Sequence, residues 1–129
     1  MRTLIWIDDH VAGVALRKPV LENYGYSVLT ANTAQEGLAL ISTKPVEAVI
    51  LDCPLPDMDG EALVSEIRAI DSTLPIVVLT RLRNGIPEGV VNGADATFTK
   101  VRDSFSSVAA KVCQLVTERT QKTPNQGCS

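Results

Sequence analysis

The sequence predicts a doubly wound α/β domain built on a five-stranded parallel sheet with helices on both faces. Three observations carry this. Four short runs rich in β-branched and bulky apolar residues stand out at Thr3–Ile7, Tyr26–Thr30, Ala48–Leu51 and Pro75–Thr80, with a weaker fifth at Ala96–Thr99. The runs are near-continuously apolar rather than alternating, as suits strands covered on both faces. Stretches with helical spacing lie between them, so each crossover carries a helix and returns right-handed to a parallel neighbour.

The elements can be justified in order. After the first strand a helical stretch contains Pro19. Its missing N–H and ring clash cost about 3 kcal/mol in a helix interior, which predicts a kink near Ala15–Pro19. The second strand leads to Thr33 and, three residues on, Glu36, the spacing of a capping box that opens a helix over Ala34–Ser42. Beyond the third strand, Leu63, Ile67 and Ile70 form an apolar stripe after Gly60. Asp57 and Asp59 read as loop and N-cap residues before that glycine. The fourth strand gives way to Arg81–Asn92, where Gly85, Pro87 and Gly89 predict a short, weakly held helix. The last helix, about Ser104–Glu118, places Phe105, Val108, Ala109, Val112 and Leu115–Val116 on one face. These bounds predict one domain over residues 1–118 and a flexible polar tail over 119–129.

At 129 residues and 45% apolar content the chain suffices for one domain with a real core. The longest apolar runs fall far short of the roughly 20 residues that span a bilayer. The first run is cut at Asp8 and Asp9, leaving no signal-peptide core, so the expected compartment is the cytoplasm. Cys53, Cys113 and Cys128 are odd in number and widely spaced, and read as free thiols. A net charge of −3 offers no basic surplus for phosphate backbones, which disfavours direct nucleic-acid binding.

Polar residues gather at the strand ends. The first strand runs into Asp8–Asp9, the third into Asp52, the fourth into Thr80 and the fifth into Lys100. In a sheet of order 2-1-3-4-5 the ligand crevice opens at the carboxyl ends of strands 1 and 3. Strands lie about 4.8 Å apart, so Asp9 and Asp52 face each other across one spacing, and Lys100, about two spacings from Asp52, can reach it. Three carboxylates in one crevice repel, so the site must protonate or take up positive charge. Carboxylates with open water positions favour magnesium. A metal, an ammonium and a hydroxyl around a carboxylate nucleophile suggest phosphoryl transfer to Asp52.

Ile5–Trp6–Ile7–Asp8–Asp9, the run from Asp52 through Cys53, Pro54, Leu55, Pro56, Asp57, Met58 and Asp59 to Gly60, Val77–Val78–Leu79–Thr80, and Gly93–Ala94–Asp95 leading to Lys100 resemble the receiver domain of two-component response regulators. The likeness covers about residues 3 to 117. It implies a flavodoxin-like receiver fold of strand order 2-1-3-4-5. It further implies Asp52 as phospho-acceptor, Asp8 and Asp9 as the Mg²⁺-binding acidic pair with Asp52, and the Pro54 carbonyl as a further protein ligand. Thr80 is similar to the hydroxyl residue that contacts the phosphoryl group, and Lys100 to the lysine that pairs with it. Backbone N–H groups of Cys53 and Arg81 complete the implied cradle. The implied partners are a histidine kinase or histidine phosphotransfer protein and an unknown downstream protein. No membrane is involved, and the state is a monomer or weak dimer. The implied domain is not an enzyme beyond self-phosphorylation and self-dephosphorylation.

The sequence also departs from that pattern. Thr97 stands where receivers carry an aromatic switch. Phe98, one residue on, points to the opposite strand face and reads as core. Val101 replaces a customary proline after Lys100, which predicts a trans bond. Arg81 replaces a small residue and either shields the site or binds phosphoryl oxygens. Pro54 and Leu82 cannot hydrogen-bond an attacking water, which predicts slow loss of the phosphoryl group. His10 reads as a surface or N-cap residue, the Cys53 thiol as space-filling and Trp6 as core. A phosphorylation-independent adaptor on the same fold is the alternative. A phosphohydrolase is disfavoured, because Pro54 stands where its second acid belongs.

Overall fold

The computed structural model describes residues 2–53, 55–81, 86–100 and 103–121. Ten elements alternate along the chain: β1 (Thr3–Ile7), α1 (Val11–Glu22), β2 (Ser27–Ala31), α2 (Ala34–Thr43), β3 (Ala48–Leu51), α3 (Gly60–Ile70), β4 (Ile76–Thr80), α4 (Glu88–Gly93), β5 (Ala96–Thr99) and α5 (Phe105–Gln121). All strand pairs are parallel and the order is β2-β1-β3-β4-β5, as the sequence predicts.

Alternation along the strands divides the core in two. Ile5, Ile7, Val49, Leu51, Ile76 and Val78 face α2, α3 and α4, where Ile41, Leu63, Ile67 and Val90 meet them. Leu4, Trp6, Ile50, Val77 and Leu79 face α1 and α5, where Val14, Leu21, Val108, Val112 and Val116 meet them. Trp6 is core, stacked on Phe105 at 5.1 Å between ring centroids. Phe98 packs into this second cluster, paired in register with Leu79, while Thr97 pairs with Val78 on the other face. The one-residue offset therefore has the predicted effect.

Several boundaries differ from expectation by a residue or more. β2 and β4 each begin one residue later than predicted, and α2 runs one residue further. α1 runs unbroken through Pro19 from Val11 to Glu22. The proline falls in the last turn, where only the Ala15 carbonyl loses its intrahelical donor, and the helix closes with Asn23 N–H on the Pro19 carbonyl at 2.9 Å. α5 continues three residues past Glu118, because Val116 is fully buried and Arg119 pairs with Asp71 at 2.8 Å. The expected tail thus begins inside α5, and residues 122–129 lie outside the described residues, as do Pro54, Leu82, Val101 and Cys128.

The acid-rich loop after β3 is tied down in an unforeseen way. Both Asp57 oxygens accept from α2, from Ala34 N–H at 3.0 Å and Gln35 N–H at 3.2 Å. Asp57 therefore caps α2 across the loop rather than α3, alongside the predicted Thr33 cap, whose Oγ1 accepts from Glu36 N–H at 3.1 Å. Asp59 occupies the N-cap position of α3 without a side-chain cap bond.

Candidate functional site

Two neighbouring strands deliver the three carboxylates, Asp8 and Asp9 from β1 and Asp52 from β3. Asp8 N–H bonds the Ala31 carbonyl and Asp52 N–H the Ile7 carbonyl, so both aspartates continue the ladder one step past the strand ends. This fixes their backbones at the carboxyl edge of the sheet. Asp52 is completely buried and Asp8 nearly so, while Asp9 keeps about a third of its side chain in solvent (32%). One oxygen from each of Asp8, Asp9 and Asp52 lies within 4.8 Å of the others. The predicted acidic cluster is therefore present.

Lys100 bridges two of these residues. Its ammonium donates to Asp8 Oδ2 at 2.9 Å and lies 3.9 Å from Asp52 Oδ1. It reaches Asp52 as expected, but its tighter partner is Asp8. The other Asp8 oxygen accepts from His10 N–H at 2.9 Å, and Asp52 Oδ1 accepts from Cys53 N–H at 2.9 Å. Thr80 is fully buried, with its hydroxyl donating to the Cys53 carbonyl. The β4–β5 ladder ends with Lys100 N–H on the Thr80 carbonyl at 2.7 Å, which holds the two backbones together at the sheet edge.

Burial is the largest influence on Asp52 and, with the Asp8 carboxylate, pushes its carboxyl up to about 6 from the ordinary 3.8. Lys100, Arg81 and the Cys53 N–H pull the other way. The Cys53 thiol is also pushed up, first by burial and then by the Asp52 and Asp59 carboxylates. It is thus poorly suited to thiolate chemistry and fits its space-filling reading.

Two further residues, Arg81 and His10, belong to the site. Arg81 lies inside the site, 3.4 Å from Asp9 Oδ1 and 3.4 Å from Asp52 Oδ2. His10 heads α1 without a side-chain cap bond, and its ring meets Arg81 at 2.6 Å. Charge pairing predicts an arginine near aspartates, but the partner became visible only when β1 and β4 were folded together. Gly60 is the third unforeseen feature. A Cβ there would stand 2.6 Å from Cys53 Sγ, so the glycine lets α3 approach the residue that follows Asp52.

The sequence matches the response regulator receiver domain family over residues 4–106. The chain belongs to that family. A receiver is a signalling domain of two-component systems and generally not a catalytic enzyme. Among similar proteins, response regulator MprA of Mycolicibacterium vanbaalenii is 38% identical over 96 residues, 74% of this chain and 40% of that protein. Transcriptional regulatory protein GlrR of Escherichia coli is 32% identical over 96 residues, 74% of this chain and 21% of that protein. The receiver thus spans well under half of these curated relatives. A receiver domain from Methanospirillum hungatei superposes with a TM-score of 0.85 at 27% identity, covering 95% of this chain and 98% of that one. TrrA of Thermotoga maritima, solved in complex with Mg²⁺ and a beryllium fluoride, superposes with a TM-score of 0.81 at 27% identity over 89% of this chain and 99% of that one. Receivers bind Mg²⁺ at an aspartate cluster. The donor set here suits that hard cation: only oxygen ligands converge, and an excess of negative charge remains to be neutralised. Among the described residues no helix is long and apolar enough to cross a membrane.

Proposed function

We propose that this receiver accepts a phosphoryl group on Asp52 from a histidine kinase or histidine phosphotransfer protein and thereby changes its affinity for a downstream protein. The supporting observation is a fully buried Asp52 carboxylate ringed by Asp8, Asp9 and Lys100 at the carboxyl edge of the sheet, with the Thr80 hydroxyl on the carbonyl of the next residue, Cys53. Asp8, Asp9 and Asp52, with the Pro54 carbonyl, are the residues that would hold Mg²⁺. Mg²⁺ supplies charge neutralisation for the transferring group when bound.

The chain's own groups do the rest. An Asp52 oxygen forms the new O–P bond as the N–P bond of the donor's phosphohistidine breaks, and the imidazole leaves with a proton. Cys53 N–H, already on Asp52 Oδ1, holds the acceptor in place. Lys100 is close enough to move from Asp8 onto the added oxygens. Thr80 exchanges its bond to the Cys53 carbonyl for one to the phosphoryl group. Because β4 carries Thr80 and the following chain leads to α4, this exchange favours one arrangement of the Thr80–Lys100 region, and a partner that reads it gains or loses affinity.

Pro54 and Leu82 offer no hydrogen bond to an attacking water, so self-dephosphorylation is slow. A half-life of seconds in a phosphate-release assay would contradict this. The broader reading is tested with beryllofluoride and Mg²⁺, followed by amide NMR. Shifts at Asp52, Thr80 and α4 are expected. A spectrum unchanged by the analogue would leave the phosphorylation-independent adaptor as the better reading.

A further inference from the structure

Arg81 brings a second cation to a pocket that already has Lys100. Its guanidinium is held from two sides: Nη1 meets His10 Nε2 at 2.6 Å, and Nη2 lies 3.4 Å from both Asp9 Oδ1 and Asp52 Oδ2. A guanidinium has no lone pair to offer, so the imidazole accepts and carries its proton on Nδ1. His10 thus acts as a neutral rest that steers the fork onto the carboxylates. The two carboxylate contacts are longer than the 2.7–2.9 Å of a tight charge-assisted hydrogen bond and so are readily exchanged.

Asp9 and Asp52 are two of the three residues whose oxygens converge. Guanidinium and divalent cation therefore draw on the same carboxylates. Before modification, three carboxylates face Lys100 and Arg81, leaving one negative charge. A divalent cation added to this set leaves one positive charge. Phosphorylation replaces the single charge of Asp52 by about two, and only then do cation, Lys100 and Arg81 together balance the acids.

On the reading that Asp52 is the phospho-acceptor, we infer that Arg81 is a tethered counter-ion. It competes with the divalent cation for Asp9 and Asp52 in the unmodified receiver and transfers to the phosphoryl oxygens once they are present. Arg81 thereby biases cation binding toward the phosphorylated state and shields the phosphoryl group from the solvent side. His10 is its positioning residue in the unmodified protein.

The test is a titration of the full chain with MgCl₂ alone, read by the Cys53 amide shift, for wild type, Arg81→Ala and Arg81→Gln. The arginine side chain is 39% exposed, so both variants should fold, and a thermal melt checks this. Loss of the competitor should tighten Mg²⁺ binding about fivefold in both variants, the range of a partly exposed ion pair. The Mg²⁺–beryllofluoride complex should in turn dissociate about fivefold faster than that of wild type. Equal or weaker Mg²⁺ affinity in the variants overturns the inference. If all three proteins still gain a phosphoryl group on Asp52, the acceptor reading survives that result. If none binds Mg²⁺ or gains the phosphoryl mass, both fall.

Discussion

Lys100 and Asp8 are joined at 2.9 Å between the outer end of β5 and the end of β1, across the mouth that β3 and β4 leave between them. The ammonium also lies 3.9 Å from Asp52, so it serves both buried acids, although Arg81 stands nearer to Asp52 at 3.4 Å. Lys100→Ala should cost about 1–3 kcal/mol at pH 8 in the absence of divalent cations, because it takes the ion-pair partner from buried Asp8 and one of two cations from Asp52. At pH 5 the loss should shrink, since Asp52 then takes up a proton instead. Urea unfolding at both values checks this, and a loss equal at the two pH values would contradict it.

Asp52 itself opposes folding at neutral pH. Burial and the Asp8 carboxylate push its carboxyl up to about 6 from an ordinary 3.8, so ionisation is harder in the folded chain than in the unfolded one. The resulting penalty is absent below about pH 4, grows between pH 4 and 6 and is fully present above that. Asp52→Asn removes it while keeping an acceptor for Cys53 N–H. In metal-free buffer the variant should be more stable than wild type by on the order of 2 kcal/mol at pH 7, with the gain fading towards pH 4. Added Mg²⁺ should narrow the gap, because it stabilises the wild-type fold by binding it. A variant less stable than wild type at pH 7 would count against this account.

Arg68 on α3 ties together the chain that leads into and out of the site. Its guanidinium donates to the Gly93 carbonyl at 2.9 Å and the Leu74 carbonyl at 2.6 Å and pairs with Asp95 at 2.9 Å. Asp95 in turn accepts from Ile76 N–H at 2.8 Å, at the start of β4. Arg68→Ala should cost about 2–3 kcal/mol, the value of charge-assisted bonds to partly buried carbonyls. Arg68→Lys should recover little of it, because one ammonium cannot meet partners on three sides. Full rescue by lysine in chemical denaturation would refute the clamp.

Gly37 shows a limit of helix propensity. Alanine is favoured in a helix by about 1 kcal/mol over glycine, yet a Cβ at Gly37 would stand 2.3 Å from Ile7 Cδ1. Ile7 is fully buried and directly precedes Asp8. Gly37→Ala should therefore destabilise by about 1–3 kcal/mol through overpacking. A rise in Tm would show that α2 can move off the sheet at little cost.

These examples show which parts of the molecule could be read from the chain. Strand positions were legible because burial on both faces leaves continuous apolar runs, and β1, β3 and β5 fall on the predicted residues. Asp8, Asp9, Asp52, Thr80 and Lys100 were legible because each directly ends or follows a strand, and parallel topology brings those ends together. Helix ends were less so: the Arg119–Asp71 pair holds α5 beyond Glu118, and a partner 48 residues earlier leaves no local signal. Asp57 reads as a loop residue because it stands just before Asp59 and Gly60, whereas its partners lie 22 and 23 residues earlier on α2. Arg81 departs visibly from the family pattern, but its seat on His10, Asp9 and Asp52 depends on the spatial meeting of β1, β3 and β4.

The central claim is that Asp52 is the nucleophile of this pocket, and intact-mass spectrometry tests it most directly. Wild type and Asp52→Ala are incubated with acetyl phosphate and Mg²⁺ and weighed. Wild type is expected to gain the mass of one phosphoryl group, located at Asp52 by peptide mapping, and Asp52→Ala to gain none. Equal gain in both proteins, or none in wild type, would contradict it.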